Sequence, residues 1–516
     1  MDEQWLRRDR NETRVRNSNS INAWVAAAAP HTGKVARVDA LIQSKLEMPS
    51  QPVSGRENET TTPRPGAALI AIAIVAALAE LAYAVMNVSA MPVYLRDSMH
   101  YGAASVAGIG TAFLFCEGVT KGAFGVLGDR IGRKKLIIAG PLISVVTALL
   151  TVLVHSSQWY FFVLLRVLDG LGAAALWTSA LAMIADVVPD DRRSQAMSLF
   201  NVSYMVGIAL GPFIGGAAND LTGSVTRSLH IRNIDSNTAS FYVISFLFLL
   251  TAITALWRVP NVPPHPAAHD DAEAGFSVKS LMDNLRRMPE VMIMAAVTFL
   301  GVGLIMMIIK LFAMDEFKVS QTQFGALLLI PSVIIGAASF PLGTLGDRIG
   351  RVKAVRLGIG LCAVSMWSLV FFKSEWALVI GGSLIGTGFV IAFPAWMAFI
   401  STTCDPRQRG SVMGAFGTAQ GIGAMIGAPL GGYLYQHAHI RLPFVSQSAI
   451  ESFPFLKMHN GHVVTNNHYM PFVGCALLLF VSWLIATFAL KDKVPGLSPD
   501  GCKNSLLEST NGTKTH

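Results

Sequence analysis

Charged residues and cysteines are scarce in this sequence. Asp, Glu, Lys and Arg make up 14% of its 516 residues, whereas a typical soluble domain carries roughly 25%. The five cysteines are scattered and form no CxxC spacing: Cys116, Cys362, Cys404, Cys475 and Cys502. We therefore predict neither a disulfide framework nor a zinc site, and the low charge argues against a soluble domain.

The sequence also lacks the signatures of an enzyme or an ATPase. A phosphate-binding loop needs GxxxxGK followed by Ser or Thr, and the nearest stretch, HTGKV at 31–35, lacks the first glycine. No nucleophile–base pair and no cluster of metal ligands stands out. We therefore predict a protein that is not an enzyme, binds no cofactor or metal and does not use ATP.

Long apolar runs are what the sequence has in abundance. Hydrophobic residues make up 52% of the chain, and twelve runs reach the roughly 20 residues that a helix needs to cross a bilayer. Lipid offers no partners to backbone N–H and C=O groups, so these runs are expected to be helical. The sequence predicts an all-α membrane protein with twelve transmembrane helices.

The apolar runs form two groups of six. We place an N-terminal half at 67–257 and a C-terminal half at 291–490, joined by the polar linker 258–290. Part of this linker is either an amphipathic helix on the membrane surface or a solvated segment. Residues 1–66 are predicted to be a disordered tail, and 491–516 a second tail.

The distribution of basic residues predicts the orientation. A net charge of +8 suggests nucleic acid as a partner, but Lys and Arg concentrate in the connections on the side of linker 258–290. By the positive-inside rule, that side and both termini are cytoplasmic. We therefore predict a multi-pass protein of the cell membrane, active as a monomer, with the lipid bilayer and no nucleic acid as a partner.

The two groups of helices are related by an internal repeat. Three pairs of strings recur in order, at offsets of about 217 residues: LGDRIGR at 127–133 and 345–351, PDDRR at 189–193 and PRQRG at 406–410, GPFIGG at 211–216 and GAPLGG at 427–432. Parallel repeats of this kind, with a cavity between the halves near the membrane midplane, are typical of secondary transporters.

These strings resemble a known family. GVLGDRIGRKK (125–135), RVLDGLGAA (166–174) and GIALGPFIGG (207–216) are similar to motifs of the major facilitator superfamily, and in particular of its twelve-helix drug:proton antiporters of the multidrug efflux type. The resemblance implies two six-helix pseudo-repeats around a central cavity, with a small-molecule substrate and protons as ligands. Asp169 departs from the pattern, which usually has Gln at this position.

Ionisable residues inside the predicted helices are candidates for proton coupling, because such groups are costly in lipid. Glu80, near mid-membrane, is either a proton carrier that also binds a cationic substrate or a structural hydrogen-bonding group. Glu117 is placed to pair with Lys121 four residues later, as a fixed or a releasable partner. The resemblance implies that Arg166 influences proton transfer, and Asp169 is either its fixed partner or a second proton site.

Two further sets of side chains within the helices were considered. Lys310 lies near the outer end of its helix, where we expect it to snorkel to the surface. Aromatic residues, together with Glu80, are candidates for the lining of a substrate cavity, although each alone is more often packed in a bundle: Phe113, Trp177, Tyr204, Phe393 and Trp396.

Candidate gating residues lie at the predicted cytoplasmic ends of the helices: Gly125, Asp129, Arg130, Gly132, Arg133, Asp186, Asp347, Arg348 and Arg351. Asp129 can pair with Arg133, or it can face the N-terminus of the eleventh helix, whose dipole favours an anion. The resemblance favours the second arrangement, a latch between the halves. Asp186 can join the same cluster by pairing with Arg133.

Glycines at helical spacing predict a close helix contact on the outer side. The candidate joint consists of Gly207, Gly211, Pro212, Gly215 and Gly216. We expect it to be packing in any case, and to seal the two halves against each other.

Three functional hypotheses follow from the sequence. The leading one is secondary active transport, with proton-coupled export of a small amphipathic or cationic compound by alternating access. The second is uptake of a nutrient or metabolite by symport or facilitated diffusion, against which the GIALGPFIGG motif argues. The third, a receptor or scaffold without transport, leaves the buried acids unexplained.

Overall fold

A computed structural model describes the following residues of the chain: 65–153, 158–188, 193–231, 234–262, 288–403, 409–442, 445, 450, 453–459 and 462–490. The predicted tails, apart from residues 65 and 66, and the central part of the linker lie outside the described residues. The predictions of a disordered tail and of an amphipathic linker helix therefore stay predictions.

The first half contains six long helices: α1 Pro65–Ala84, α2 Ala103–Ile131, α3 Arg133–Leu153, α4 Trp159–Val187, α5 Arg193–Ser228 and α6 Ala239–Arg258. Beyond its α-helical part, α1 continues through a wider π-helical segment, Val85–Ala90, and further short turns to Ser98. Within this half α1 packs on α5 and α6, and α4 on α2 and α3.

The second half also contains six long helices: α7 Pro289–Met306, α8 Gln321–Gly343, α9 Arg351–Phe371, α10 Glu375–Thr403, α11 Arg409–His437 and α12 Met470–Phe488. Short helices follow α7 at Ile309–Phe317 and α8 at Leu345–Ile349. A capping box on Ser320 and Gln323 sets the start of α8.

The predicted all-α membrane fold is confirmed. Eleven of the twelve long helices in the described part of the chain are long and apolar enough to cross a membrane. The exception is α11, in which eight of 29 residues are glycine. Glycine adds helix length without apolar side chain, so the helix is present although its hydropathy is low.

The repeat seen in the sequence is also a repeat of backbone geometry. Gly132 joins α2 to α3 with φ at +95°, and Gly350 joins the short helix after α8 to α9 with φ at +97°. A positive φ of this kind is open to glycine and strained for other residues. One glycine in each half therefore makes the same abrupt turn between two helices.

A second pair of glycine contacts, not predicted from the sequence, repeats in the same way. A Cβ built on Gly172 of α4 would lie 2.7 Å from the carbonyl oxygen of Gly140 in α3. A Cβ built on Gly388 of α10 would lie 2.6 Å from that of Gly358 in α9. In both halves these helices cross with backbone against backbone.

The glycine stripe on α5 packs within the first half and not between the halves. Cβ atoms built on Gly207, Gly211 and Gly215 would all meet α1 or its continuation. The expectation that these three glycines join the halves is therefore wrong. Glycine spacing shows that a close contact exists but does not show which helix makes it.

The contact between the halves lies on the neighbouring face of α5. A Cβ on Gly216 would collide with the backbone of Gln321 at the start of α8, and one on Gly325 would meet Pro212 and Phe213. Pro212 and Gly216, two of the five predicted joint residues, thus lie where the halves meet.

The same division occurs on α11. Gly423, Gly427 and Gly431 face the backbone of α7 in their own half, whereas a Cβ on Gly432 would lie 2.6 Å from the carbonyl oxygen of Ala103 in α2. We call the α5–α8 and α2–α11 contacts together the external joint, because they lie at the face predicted to be external.

At the predicted cytoplasmic face the helices of the two halves stand apart. Cβ atoms built on glycines in this part of the bundle would have no neighbour within 4 Å: Gly118, Gly122 and Gly125 in α2, Gly336 and Gly343 in α8, Gly417 and Gly421 in α11. The structure is therefore closed at the external joint and open at the opposite face.

The outer connection before α12, expected to be a solvated loop, contains a small antiparallel sheet. Strands β1 Leu456–His459 and β2 His462–Thr465 pair with each other. Asn466 and His468 bind Glu316 at 3.1 and 2.7 Å. Burial raises the pKa of Glu316, but these two hydrogen bonds outweigh burial and hold the pKa below its usual range.

We expect alanine at either crossing glycine to destabilise the protein. In Gly172→Ala or Gly388→Ala the new methyl group meets a carbonyl oxygen inside 3 Å, and such overpacking costs about 1–3 kcal/mol. Thermal unfolding of the detergent-solubilised protein measures the change. Gly122→Ala is the matched control, since its methyl meets nothing and alanine favours a helix by about 0.5–1 kcal/mol. Equal melting temperatures for all three variants would contradict the backbone crossing.

Candidate transport site

The π-helical segment of α1 places two polar residues at the centre of the protein. A π-turn is wider than an α-turn and is common at functional sites. Asn87 and Ser89 lie within this segment, Val85–Ala90. Asn87 reaches Arg166 in the same half, and Ser89 reaches Lys310 in the second half.

Arg166 and Asp169 form an ion pair in the core of the first half. Arg166 Nη1 lies 2.6 Å from Asp169 Oδ2, and the two side chains are 1% and 0% exposed. Arg166 Nη2 also donates to Asn87 Oδ1. The guanidinium carbon lies 4.5 Å from the ring centroid of Phe113, a cation–π distance.

The carboxylate of Asp169 has further hydrogen bonds. Ser144 Oγ donates to Asp169 Oδ1 at 2.5 Å, and Thr147 Oγ1 lies 3.5 Å from the same oxygen. Ser144 in turn lies 3.0 Å from Tyr83 Oη. This geometry matches the alternative in which Asp169 is the fixed partner of Arg166; the second proton site stays a prediction.

Glu80 is buried on a different face of α1, toward α5. Its side chain is 7% exposed and hydrogen-bonds Tyr204. The Tyr204 ring lies 5.4 Å from that of Trp177, edge to face. Gly207 lets α5 approach, because any Cβ there would lie 2.7 Å from the Cβ of Glu80.

Glu117 and Lys121 form the ion pair expected from their spacing. Lys121 Nζ lies 2.8 Å from Glu117 Oε1, with the glutamate 16% and the lysine 48% exposed. Gly170 brings α4 against the backbone nitrogen of Glu117. The carboxylate thus lies beside the Arg166–Asp169 region, and its partner reaches toward solvent.

The five predicted aromatic residues lie in different surroundings. Trp177 and Tyr204 are half-buried beside Glu80, and Phe393 is half-buried and stacked on Phe389 at 5.1 Å. Phe113 is buried under Arg166, and Trp396 is buried against Phe416 at 4.8 Å. Phe113 and Trp396 are therefore core residues in this state, and the expectation that they line the cavity fails because α1, α4 and α11 cover them.

Arg133 is the centre of the predicted gating cluster. It pairs with Asp129 at 3.0 Å and with Asp186, and it donates to the carbonyl oxygen of Ala182 at 2.6 Å. Both carboxylates belong to the first half. The latch between Asp129 and α11 stays a prediction for the state in which the predicted cytoplasmic face is closed.

The other predicted gating residues lie around this open face. Arg130, Asp347 and Arg348 are exposed, and Arg351 is half-buried at the start of α9. Gly125 has no neighbour, and Gly132 makes the turn into α3. These positions bring the two repeated motifs to one face.

Several residues of the site were not predicted. Asn87, Tyr83 and Ser144 bind the buried pair, and Arg96 Nη1 bridges the halves to Asp315 at 2.9 Å. Uncharged polar residues are common in apolar helices, so only their packing reveals a role. Arg96 carried a usable signal, since it is a charge directly after an apolar run.

Twelve long helices in two similar halves, closed at one face and enclosing buried ionisable groups, define a membrane transporter. A family model described as Major Facilitator Superfamily matches residues 72–300 and 291–451. The chain therefore belongs to the major facilitator superfamily, whose members carry small molecules. The predicted resemblance is confirmed.

Comparisons with individual proteins agree with this assignment. Multidrug resistance protein 2 of Bacillus subtilis (strain 168) is 25% identical over 364 residues, covering 69% of this chain and 85% of that protein. The crystal structure of a bacterial homologue of the human lysosomal transporter Spinster, inward-facing and unoccupied, superposes with a TM-score of 0.64 at 14% identity, covering 85% of this chain and 100% of that one. For the nucleoside transporter NupG the values are 0.63, 13%, 82% and 100%. At these identities the two structures show the fold alone.

We expect loss of the Asp169 carboxylate to unfold the first half. Asp169→Ala leaves the Arg166 charge buried without its partner, which costs about 3–5 kcal/mol. The double variant Arg166→Met, Asp169→Leu buries neither charge and should recover most of the stability. Thermal unfolding in detergent measures both. Asp129→Ala, in a half-exposed pair, is the control and should cost about 1 kcal/mol or less. A stable Asp169→Ala variant would show that the pair does not hold the half together.

Proposed function

We propose that the chain exports a small amphipathic or cationic compound in exchange for protons. The observation that carries this proposal is the buried carboxyl of Glu80, which lies beside the half-buried aromatic rings of Tyr204 and Trp177. The likeness to Multidrug resistance protein 2 supports the direction and the kind of substrate.

One carboxyl can couple the two ligands because it holds only one at a time. Burial disfavours the ionised form of a carboxyl that has no cation beside it. Glu80 is then occupied either by a proton or by a cationic substrate, and binding of one releases the other. The rings of Tyr204 and Trp177 favour a cation or an apolar face at the same place.

An apolar groove offers contact area for the rest of such a compound. Its lining comes from α2 and α4 of the first half and α11 of the second, including Thr111, Phe115, Val163 and Ile422. The Thr111 hydroxyl is bonded to the carbonyl oxygen of Ala107 at 2.8 Å, so it makes no polar demand on a ligand. The groove therefore suits hydrocarbon or aromatic surface.

The proton gradient supplies enough free energy for export. A proton that enters down about 100 mV contributes roughly 2.3 kcal/mol, and each pH unit adds about 1.4 kcal/mol. The described state, open at the predicted cytoplasmic face, is the one that loads substrate in an exporter. Opening of the external joint then releases it.

We expect Glu80→Gln to abolish exchange of substrate for protons, because glutamine can neither take up a proton nor hold a cation by charge. The measurement uses inverted membrane vesicles from a host deleted for its own pumps, a panel of amphipathic cations and an imposed pH gradient. Proton release is followed with a pH-sensitive dye.

Glu290→Gln is the matched control, since Glu290 is an exposed acid at the start of α7 and should leave exchange intact. Full exchange in Glu80→Gln would remove Glu80 from the mechanism. Substrate uptake with proton entry in the parent protein would replace export by symport, the second hypothesis. Absence of any flux from parent protein in liposomes would favour the receptor or scaffold.

A further inference from the structure

Lys310 is buried where the two halves meet. It lies in the short helix Ile309–Phe317 after α7 and is 1% exposed. The expectation that it snorkels to the surface is wrong, because its side chain points across the external joint to the π-helical segment of α1.

The Lys310 amine has one acceptor for each of its three N–H groups. Nζ lies 2.9 Å from the carbonyl oxygen of Ser89, 2.7 Å from Ser89 Oγ and 3.0 Å from Gln321 Oε1. A lysine ammonium has three donors and no acceptor. The pocket therefore satisfies the charged form of the side chain completely.

The neighbouring hydrogen bonds orient these acceptors. Ser89 Oγ donates to the carbonyl oxygen of Pro212 at 3.5 Å, which leaves its lone pairs for the amine. Gln321 Nε2 donates to Asn237 Oδ1 at 3.0 Å, so that Gln321 Oε1 faces Lys310 and Asn219 Nδ2. Each contact to Lys310 is thus set up for a donor.

The ammonium depends on these neutral oxygens, because it has no carboxylate partner among the described residues. The acids whose charges act on it are engaged elsewhere: Asp220 accepts from the backbone nitrogen of Thr322 at 2.8 Å, and Asp97 pairs with Arg96 at 2.6 Å. A buried charge without compensating hydrogen bonds is strongly unfavourable. Two of its three acceptors belong to Ser89 of the first half, so separation of the halves removes them.

We propose that Lys310 is the positioning residue of the external joint: its ammonium binds the π-helical segment of α1 and the start of α8 together, and the joint opens only when this ammonium passes to water. The segment around Ser89 supplies both a backbone and a side-chain oxygen to one amine. This role does not depend on the substrate, on proton coupling or on the direction of transport.

The test measures the distance between the halves at the external face. Spin labels are attached through Leu229→Cys at the end of α5 and Trp376→Cys at the start of α10, both exposed, in a protein whose native cysteines are replaced by alanine. Pulsed electron paramagnetic resonance in nanodiscs then gives the ratio of closed to open joint. We expect Lys310→Met to lower this ratio about 10-fold or more, as loss of charged hydrogen bonds predicts.

Lys318→Met is the matched control, because Lys318 is exposed directly after the same short helix and should leave the ratio unchanged. Gln321→Leu removes one acceptor and should lower the ratio less than Lys310→Met does. The double variant Lys310→Met, Gln321→Leu should be less than additive, since one hydrogen bond serves both residues. Full additivity would contradict the proposal.

An unchanged or raised ratio in Lys310→Met overturns the proposal, because the amine would then not favour the closed joint. If this variant does not fold to a single species, Ser89→Ala decides. It removes only the Oγ acceptor and should lower the ratio while the melting temperature stays near that of the parent. A ratio equal to the parent value in Ser89→Ala overturns the proposal as well.

Discussion

Close approach of helix backbones at glycine is the constraint on which the rest of this structure depends. Gly207 brings α5 to Glu80, and Gly170 brings α4 to the segment that holds Phe113 and Glu117. Gly215 seats α5 against Ser89, the residue that binds Lys310. Each polar contact of the site spans a gap that a single methyl group would widen.

The site is unequal between two halves that share one backbone plan. The first half encloses Glu80 and the Arg166–Asp169 pair, each held by neighbours from several helices. In the second half the described residues contribute one fully buried charge, Lys310, and it acts across the joint. Repeated geometry gives both halves the same motion, whereas binding and coupling need different side chains in each. An asymmetric site on a symmetric frame meets both requirements.

Much of the fold could be predicted because it follows from local pattern. The apolar runs predicted the helices, since lipid leaves the backbone no other partners, and the repeated LGDRIGR predicted the turns at Gly132 and Gly350. The spacing of Glu117 and Lys121 predicted their ion pair. Within the site, the charged residues could be found because charge is rare in an apolar helix, but their hydrogen-bonding partners could not.

The sequence by itself determined that this chain is a twelve-helix membrane protein built from a repeat, because bilayer thickness and backbone hydrogen bonding leave few alternatives. Tertiary structure alone decided which face of each helix meets which neighbour. It turned the stripe at Gly207 and Gly211 inward to α1 while Gly216 meets the other half, and it buried Lys310 where the pattern predicted exposure. The physical reason is that helical spacing defines a face but not the surface packed against it, and the free energy of a buried charge depends on oxygens supplied from distant parts of the chain.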